Sequence, residues 1–498
     1  MKSILKFKIF GLIALLSLLT VSCDPDFLDV DPEYISEQQV LDLASQSPEA
    51  VLDVVDPLLS GIYASMIAFP GEPSGNFHDQ FGVKAIDLAM DLMGMDMVQS
   101  PLHWFRFDYE HDNREANYRR TLFIWSTFYK MIATCNDILD FIPEGDDIMP
   151  RLISIRAQAL ALRGYAYFML IQNYQHTYIG NEQLPGIPVY DQENRSAQPR
   201  TVVADVYARI VDDLETAYAA MPAGQVSKIE LSRDVIAGLL ARVYLVKNEW
   251  QKAAEYANLA RTGRPLMTGA QWLEGFGDIN NPEWMWGMEI NAENSTIYAS
   301  FFSHVSSAEG GYAGLGFSWK LISKNLYDKI PATDIRKQAF ADGEGNANWP
   351  AFDNAVTPPY ANFKFRGDGF FLGDYVYMRT AEMYLIEAEA LARAGNEGGA
   401  RSVLEALVTT RHPEFTAPTG NDLLEEIYLQ RRIELWGEGF AFNDLRRLKR
   451  DVDRRNSNHH PGVPHLVSYA EEMHRYIYKI PQREIDTNSF INDADQNP

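Results

Sequence analysis

Apolar residues recur at helical spacing along most of the chain, most densely between positions 375 and 450. There Met383, Ile386, Ala390 and Ala394 fall on one helical face, widened by Tyr384, Leu385 and Leu391. Gly395-Asn396 ends that helix, because both residues tolerate left-handed backbone at a C-terminus. A second helix runs through Ala400, Val403, Leu404 and Leu407, with Pro413 just beyond it. The pattern predicts a helical hairpin with small residues at its close-packed face.

A second hairpin is predicted over 232–262. Its Ala241, Tyr244, Asn248, Ala253, Tyr256 and Ala260 match Ala388, Leu391, Gly395, Ala400, Val403 and Leu407 at identical spacing. This is the mechanical signature of tetratricopeptide units. Further helices are predicted over 121–141, 152–174 and 201–220, the last with Thr201 in cap position. Helical segments over 38–69 are expected to break near Pro48 and Pro57. Residues 80–97 read as a helix whose Met90, Met93, Met95 and Met97 are core filler. Residues 181–200, with Pro185, Pro188 and Pro199, read as a connector.

Between 263 and 373 helical periodicity thins and Gly, Pro, Asn and Trp accumulate. Residues 284–290 read as a strand and 309–316 as a loop needing permissive backbone. This stretch is expected to be an irregular subdomain laid on a helical frame. A short strand-like run, 476–480, precedes Pro481.

The first residues carry a different pattern. Lys2, Lys6 and Lys8 precede an apolar run over 9–20 and then Ser22-Cys23. The run is too short for a good membrane span and reads as a secretory signal. A cysteine in that place predicts a lipoprotein, with Cys23 as the acylated N-terminus, although Thr20 stands where many such signals have Leu. Removing residues 1–22 takes the formal charge from -24 to -27, because three lysines and no acids are lost. Such a charge argues against a nucleic-acid partner, which needs a basic footprint. The second cysteine, Cys135, lies in an apolar helical pattern and is expected to be a buried, inert thiol.

No motif for a metal or a catalytic nucleophile is present: no HExxH, CxxC, EF-hand, GxSxG or phosphate loop. His459, His460 and His465 read as surface histidines, and residues 342–346 as a plain turn. With 68 acids, carboxylate pairs occur by chance and nominate no general acid. What stands out is aromatic and polar side chains sharing loops. One stretch is His103-Trp104-Phe105-Arg106 with Asp108 and Tyr109; the other holds Tyr298, Tyr312 and Trp319. Flat rings pack on the C–H faces of sugars while polar neighbours meet the hydroxyls. Trp284, Trp286 and Trp436 read as core.

Four stretches carry a resemblance to a known family: CDPDFLDVDPE, AQALALRGYAYFMLIQNYQHTYIGNEQLPGIPV, the pair RTAEMYLIEAEALARAG and IYLQRRIELWGEGFAFNDLRRLKR, and YIYKIPQREIDTN. In this order they resemble the SusD/RagB family of surface nutrient-binding lipoproteins of Bacteroidetes. Asp334-Ile335-Arg336 resembles a short motif of the same family, and Asp24, Asp26, Asp29 and Asp31 resemble its acidic export signals. The resemblance implies a mainly α fold, a tetratricopeptide-like superhelix of helical hairpins with an irregular, loop-rich subdomain. It divides the chain into a signal (1–22), a lipidated tether (23–35), an N-terminal helical region (36–262), the irregular subdomain (263–373) and the C-terminal signature helices (374–498).

The function implied is non-enzymatic glycan binding at the outer membrane, with a SusC-type TonB-dependent transporter as partner and no cofactor or metal. Family members that bind glycans use an arc of loop aromatics. Trp104 and Trp319 are the first candidates here, followed by Tyr312, Tyr298, Arg106 and Asp108. Three alternatives stay open: a peptide receptor of RagB type, a glycoside hydrolase on a helical frame, and a tetratricopeptide assembly lipoprotein with no small-molecule site.

Overall fold

The computed structural model describes residues 47–71, 74–142, 149–224, 227–367 and 369–498. The chain divides into two compact units, Met1–Val54 and Val55–Pro498. Of the first, residues 47–54 are described and they open helix α1 (Pro48–Ser65). The signal, Cys23 and the tether lie outside the described residues. Pro48 starts α1 as expected, but Pro57 lies inside it. The helix forgoes one backbone hydrogen bond there and continues.

In the second unit, α2 (Val83–Met93) leads into β1 (Met97–Ser100) and the short α3 (Arg106–Glu110). Met97 therefore begins a strand instead of ending a helix. The long helices α4 (Arg119–Phe141) and α5 (Pro150–Tyr174) follow, then α6 (Val203–Ala220), α7 (Arg233–Val246) and α8 (Trp250–Arg261). Thr201 does not cap α6; its backbone pairs with the connector instead, through Gly186 N–H and Ile187 C=O. The 263–373 stretch holds only short elements: α9 (Gly269–Trp272), β2 (Trp284–Met288), α10 (Phe301–Val305), β3 (Trp319–Ile322) and α11 (Lys324–Tyr327). Then β4 (Tyr375–Arg379) runs into α12 (Thr380–Arg393), followed by α13 (Glu397–Val408), α14 (Asp422–Glu434) and α15 (Ala441–Arg447). The chain continues through β5 (Val452–Asp453), β6 (Leu466–Val467) and α16 (Gln482–Thr487).

Among the described residues the strands form three antiparallel pairs, β1–β3, β2–β4 and β5–β6. The run after Tyr476 joins no ladder; Tyr478 N–H bonds instead to the carbonyl of Asn173 on α5, at 2.9 Å.

The helices pack in sequence order, α4 on α5, α5 on α6, α6 on α7 and α7 on α8. Helix α8 then packs on α12, across more than a hundred intervening residues, and α12 on α13 and α14. The hairpins α7–α8 and α12–α13 thus stack as neighbours, and the fold is mainly α and tetratricopeptide-like. Their turns are copies of one another. Asn248 and Gly395 are both left-handed, with φ 58° and 84°. Glu249 N–H reaches Tyr244 C=O at 3.0 Å, and Asn396 N–H reaches Leu391 C=O at 2.9 Å, the six-to-one bond of a Schellman cap. Ala388, Ala400, Leu404 and Leu407 are fully buried in the C-terminal core. Truncating Leu404 there to Ala should cost about 2–5 kcal/mol. Cys135 is buried, and burial pushes its thiol far up, so it is inert.

Candidate ligand-binding site

The strand pair β1–β3 fixes the platform. Ser100 is the register partner of Trp319, so the loop that follows β1 starts beside the first residue of β3. Phe105 then takes φ 67°, a left-handed turn that costs a phenylalanine about 1–2 kcal/mol. The turn sends Phe105 inward, onto the edge of His304 at 5.1 Å, and leaves Trp104 half-buried at the surface. Gln99 Nε2 donates to the Trp104 carbonyl at 2.8 Å and holds the turn.

Four loops bring rings to this point. Trp104 stacks on His78, with centroids 5.6 Å apart and planes 28° apart. Tyr298 lies 4.6 Å from Tyr312, which is 5.3 Å from His103. His78 Nδ1 and the Tyr312 hydroxyl are hydrogen-bonded at 2.6 Å. Below them the buried His304 stacks on Tyr312 at 4.6 Å. Burial, and after it the charge of Lys320, holds the His304 imidazole well below its usual pKa, so it is neutral. Glu309 is buried at the rim and accepts from Gly367 N–H at 2.7 Å and Phe371 N–H at 2.9 Å. That carboxylate sets Phe371 edge-on to Tyr298 at 6.1 Å. The expected permissive backbone is real: a Cβ on Gly314 would lie 1.8 Å from the Glu309 carbonyl oxygen. Phe77, Phe317 and Phe370 stand nearby in sequence with 41%, 53% and 73% of their surface exposed.

Trp104, Tyr298 and Tyr312 thus come together. Trp319 packs in an adjoining apolar cluster with Trp349, Tyr360 and Leu321. Arg106 is half-exposed at the rim and pairs with Glu110 at 2.8 Å. Asp108 corrects the expectation. It is buried, its carboxylate accepts from Arg120 at 3.1 Å and from the Tyr478 hydroxyl at 3.1 Å, and it serves the interior. The residue missed was His78, whose only sequence signal was its place beside Phe77 just after the 70–75 loop.

One cluster of buried carboxylates, Glu283, Glu434 and Glu438, is committed to ion pairs. Arg379 pairs with Glu283 at 2.6 Å, Glu434 at 2.7 Å and Glu438 at 2.8 Å. Arg411 and Arg336 add further pairs to Glu434, and Asp334 caps its own turn while pairing with Arg336 at 2.6 Å. Burial would push Glu434 up, but Arg411, Arg379 and Arg336 reverse that and hold it well below the usual carboxylate range. His459, expected at the surface, is buried against the Tyr109 hydroxyl at 2.6 Å, because α3 and the 459–465 loop fold onto each other. Asp342 accepts from Glu344 and Asn346 within its own turn. Among the described residues no group of three or more His, Cys, Asp or Glu could hold a metal ion, and no helix is long and apolar enough to cross a membrane.

Comparison with known proteins agrees with this frame. A family described as "Starch-binding associating with outer membrane" matches residues 80–245, and the SusD family matches residues 337–498. SusD-like protein P2 of Formosa agariphila is 26% identical over 406 residues, covering 74% of this chain and 78% of its own length. A SusD-like carbohydrate-binding protein of Bacteroides vulgatus superposes with a TM-score of 0.77 at 26% identity, over 89% of this chain and 97% of that one. Surface glycan-binding protein A of Bacteroides fluxus, at 17% identity and a TM-score of 0.65 over 90% and 99% of the two chains, shares the fold. With both family models matched, a homologue aligned over most of its length and the helical frame in common, the chain belongs to the SusD/RagB family.

Proposed function

We propose that this protein is a non-enzymatic receptor that holds glycan at the His78–Trp104–Tyr298–Tyr312 cluster and passes it to a SusC-type TonB-dependent transporter. The observation that carries this reading is a group of three half-buried rings, His78, Trp104 and Tyr298, set around the buried Tyr312 and interleaved with polar edges, in a family described as starch-binding and associated with the outer membrane. The rings offer flat faces to sugar C–H groups, while the imidazoles and phenols supply donors and acceptors. Trp319, in the adjoining cluster, and the exposed Arg106 would serve as further contacts for a longer chain. The protein would be anchored outside the cell through acyl chains on Cys23.

Catalysis plays no part in this reading; the clustered buried carboxylates Glu283, Glu434 and Glu438 are paired with arginine and lysine. Calorimetric titration with a polysaccharide and oligopeptide panel, with reducing ends assayed on the same samples, tests it. Saturable glycan binding without new reducing ends is expected. Binding of peptides alone, or release of reducing ends, would overturn it.

A further inference from the structure

We propose a second saccharide-binding site, separate from the ring cluster, in the cleft between α4, the 181–200 connector and α16. The cleft has a volume of about 590 Å³, inside the roughly 300–1,000 Å³ range of small-molecule sites. Its wall is aromatic. Tyr129 and Tyr190, both half-buried, set their rings 5.6 Å apart and 75° to each other, making a two-sided corner. Trp125 backs Tyr129 at 4.7 Å.

Its floor is polar and held in place. The Glu484 carboxylate accepts from Trp125 Nε1 at 3.3 Å on one oxygen. The other accepts from Asn488 Nδ2 at 2.8 Å. The Asn488-bonded oxygen also accepts from the Tyr190 hydroxyl at 3.5 Å, and the Trp125-bonded oxygen has lone-pair capacity for another donor, such as a ligand hydroxyl. The Tyr129 hydroxyl is committed to the Pro188 carbonyl at 2.8 Å, so its ring cannot swing to close the corner.

The charges choose the ligand. Glu484 places a negative charge on the lining, while Lys130, Arg195 and Arg483 place positive ones, with Arg195 offset by Asp137 and Asp140. An ammonium ligand would meet Lys130 and the arginines, and an anion would meet Glu484. A neutral ligand with one apolar face and many hydroxyls meets neither penalty, and that is the chemistry of a pyranose. A glycan long enough to leave the first site could engage this one too, raising avidity without new contacts at either. The cleft stands on its own residues and does not depend on the ring cluster being a site.

The test titrates the protein with laminarihexaose, maltohexaose, cellohexaose and xylohexaose. The variants are Trp104→Ala alone, and Trp104→Ala combined with Tyr129→Ala or with Ala133→Trp. Ala133 is exposed on α4 and lines the cleft, so a tryptophan there fills it without removing core packing. At least one hexasaccharide should still bind the Trp104→Ala protein. Both double variants should weaken that binding about tenfold, as expected for losing one stacking ring or blocking the corner. Far-UV circular dichroism should be unchanged. Absence of any residual binding to Trp104→Ala, or residual binding indifferent to Ala133→Trp in a folded protein, overturns the second site. Wild-type binding that ignores Trp104→Ala but falls with Tyr129→Ala would refute the ring cluster as a site and leave this one standing.

Discussion

His78 Nδ1 and the Tyr312 hydroxyl lie 2.6 Å apart, joining residues 234 positions distant in sequence. The bond ties the segment around His78 to the irregular segment and aligns the two rings on which Trp104 and Tyr298 pack. Tyr312→Phe keeps the ring and removes the tether. Glycan affinity should fall about three- to tenfold, the worth of one hydrogen bond at about 1 kcal/mol. Thermal stability should change little, and titration calorimetry beside a melting curve separates the two effects.

Lys320 gives the site a pH dependence of stability. It is buried on β3, donates to the Ser318 carbonyl at 3.0 Å and hydroxyl at 3.1 Å, and burial pulls its pKa from 10.5 to about 7. His103 and His304 both feel its charge. Between about pH 7 and 10 the unfolded chain keeps this proton and the folded chain sheds it. Stability from this group is therefore full above the unfolded pKa and is lost as pH falls towards 7, at up to about 1.4 kcal/mol per pH unit. Lys320→Met should raise the melting temperature relative to wild type most at pH 6.5 and least at pH 10. A difference that does not vary with pH would refute the role given to its charge.

The paired turns make a separate prediction. Gly395→Ala puts a Cβ on a left-handed residue and should cost about 1–2 kcal/mol. Gly395→Asn should cost less, because Asn248 already holds the equivalent place at φ 58°. Denaturant midpoints of the two variants test this order; a reversed order would mean the turns are not equivalent.

Glu434 separates scaffold from catalyst. It accepts from Arg336, Arg379 and Arg411, and all four side chains are buried. Glu434→Gln leaves three guanidinium groups short of a counter-charge and should destabilise by about 3–5 kcal/mol. A sharp fall in melting temperature is expected. A well-folded variant that had lost a hydrolytic activity would instead point to catalysis.

The helical frame was legible because its signals are local. A left-handed turn residue between two amphipathic stretches announces a hairpin, and repetition at fixed spacing announces the stack. The pairing of α8 with α12 follows from that repetition, although the residues between them break the pattern. The ring cluster was legible only in part. Trp104, Tyr298 and Tyr312 stood out as loop aromatics, but nothing near His78 in sequence points to Tyr312, and only the fold brings them together. Asp108 and His459 misled for the opposite reason. Both lie in polar stretches, yet Arg120 and Tyr109 draw them inward, and such long-range pairs leave no trace in local composition. Pro57 and Thr201 show that a strong local signal still yields to the hydrogen bonds around it.

Glycan capture at the ring cluster without chemistry is tested by one comparison. Wild type and Trp104→Ala are titrated with the glycan that binds best, and the same samples are assayed for reducing ends. Wild type should bind saturably, Trp104→Ala should bind about tenfold or more weakly, and neither should release new reducing ends. Equal affinity in the two proteins, or the appearance of reducing ends, would contradict capture without chemistry at this cluster.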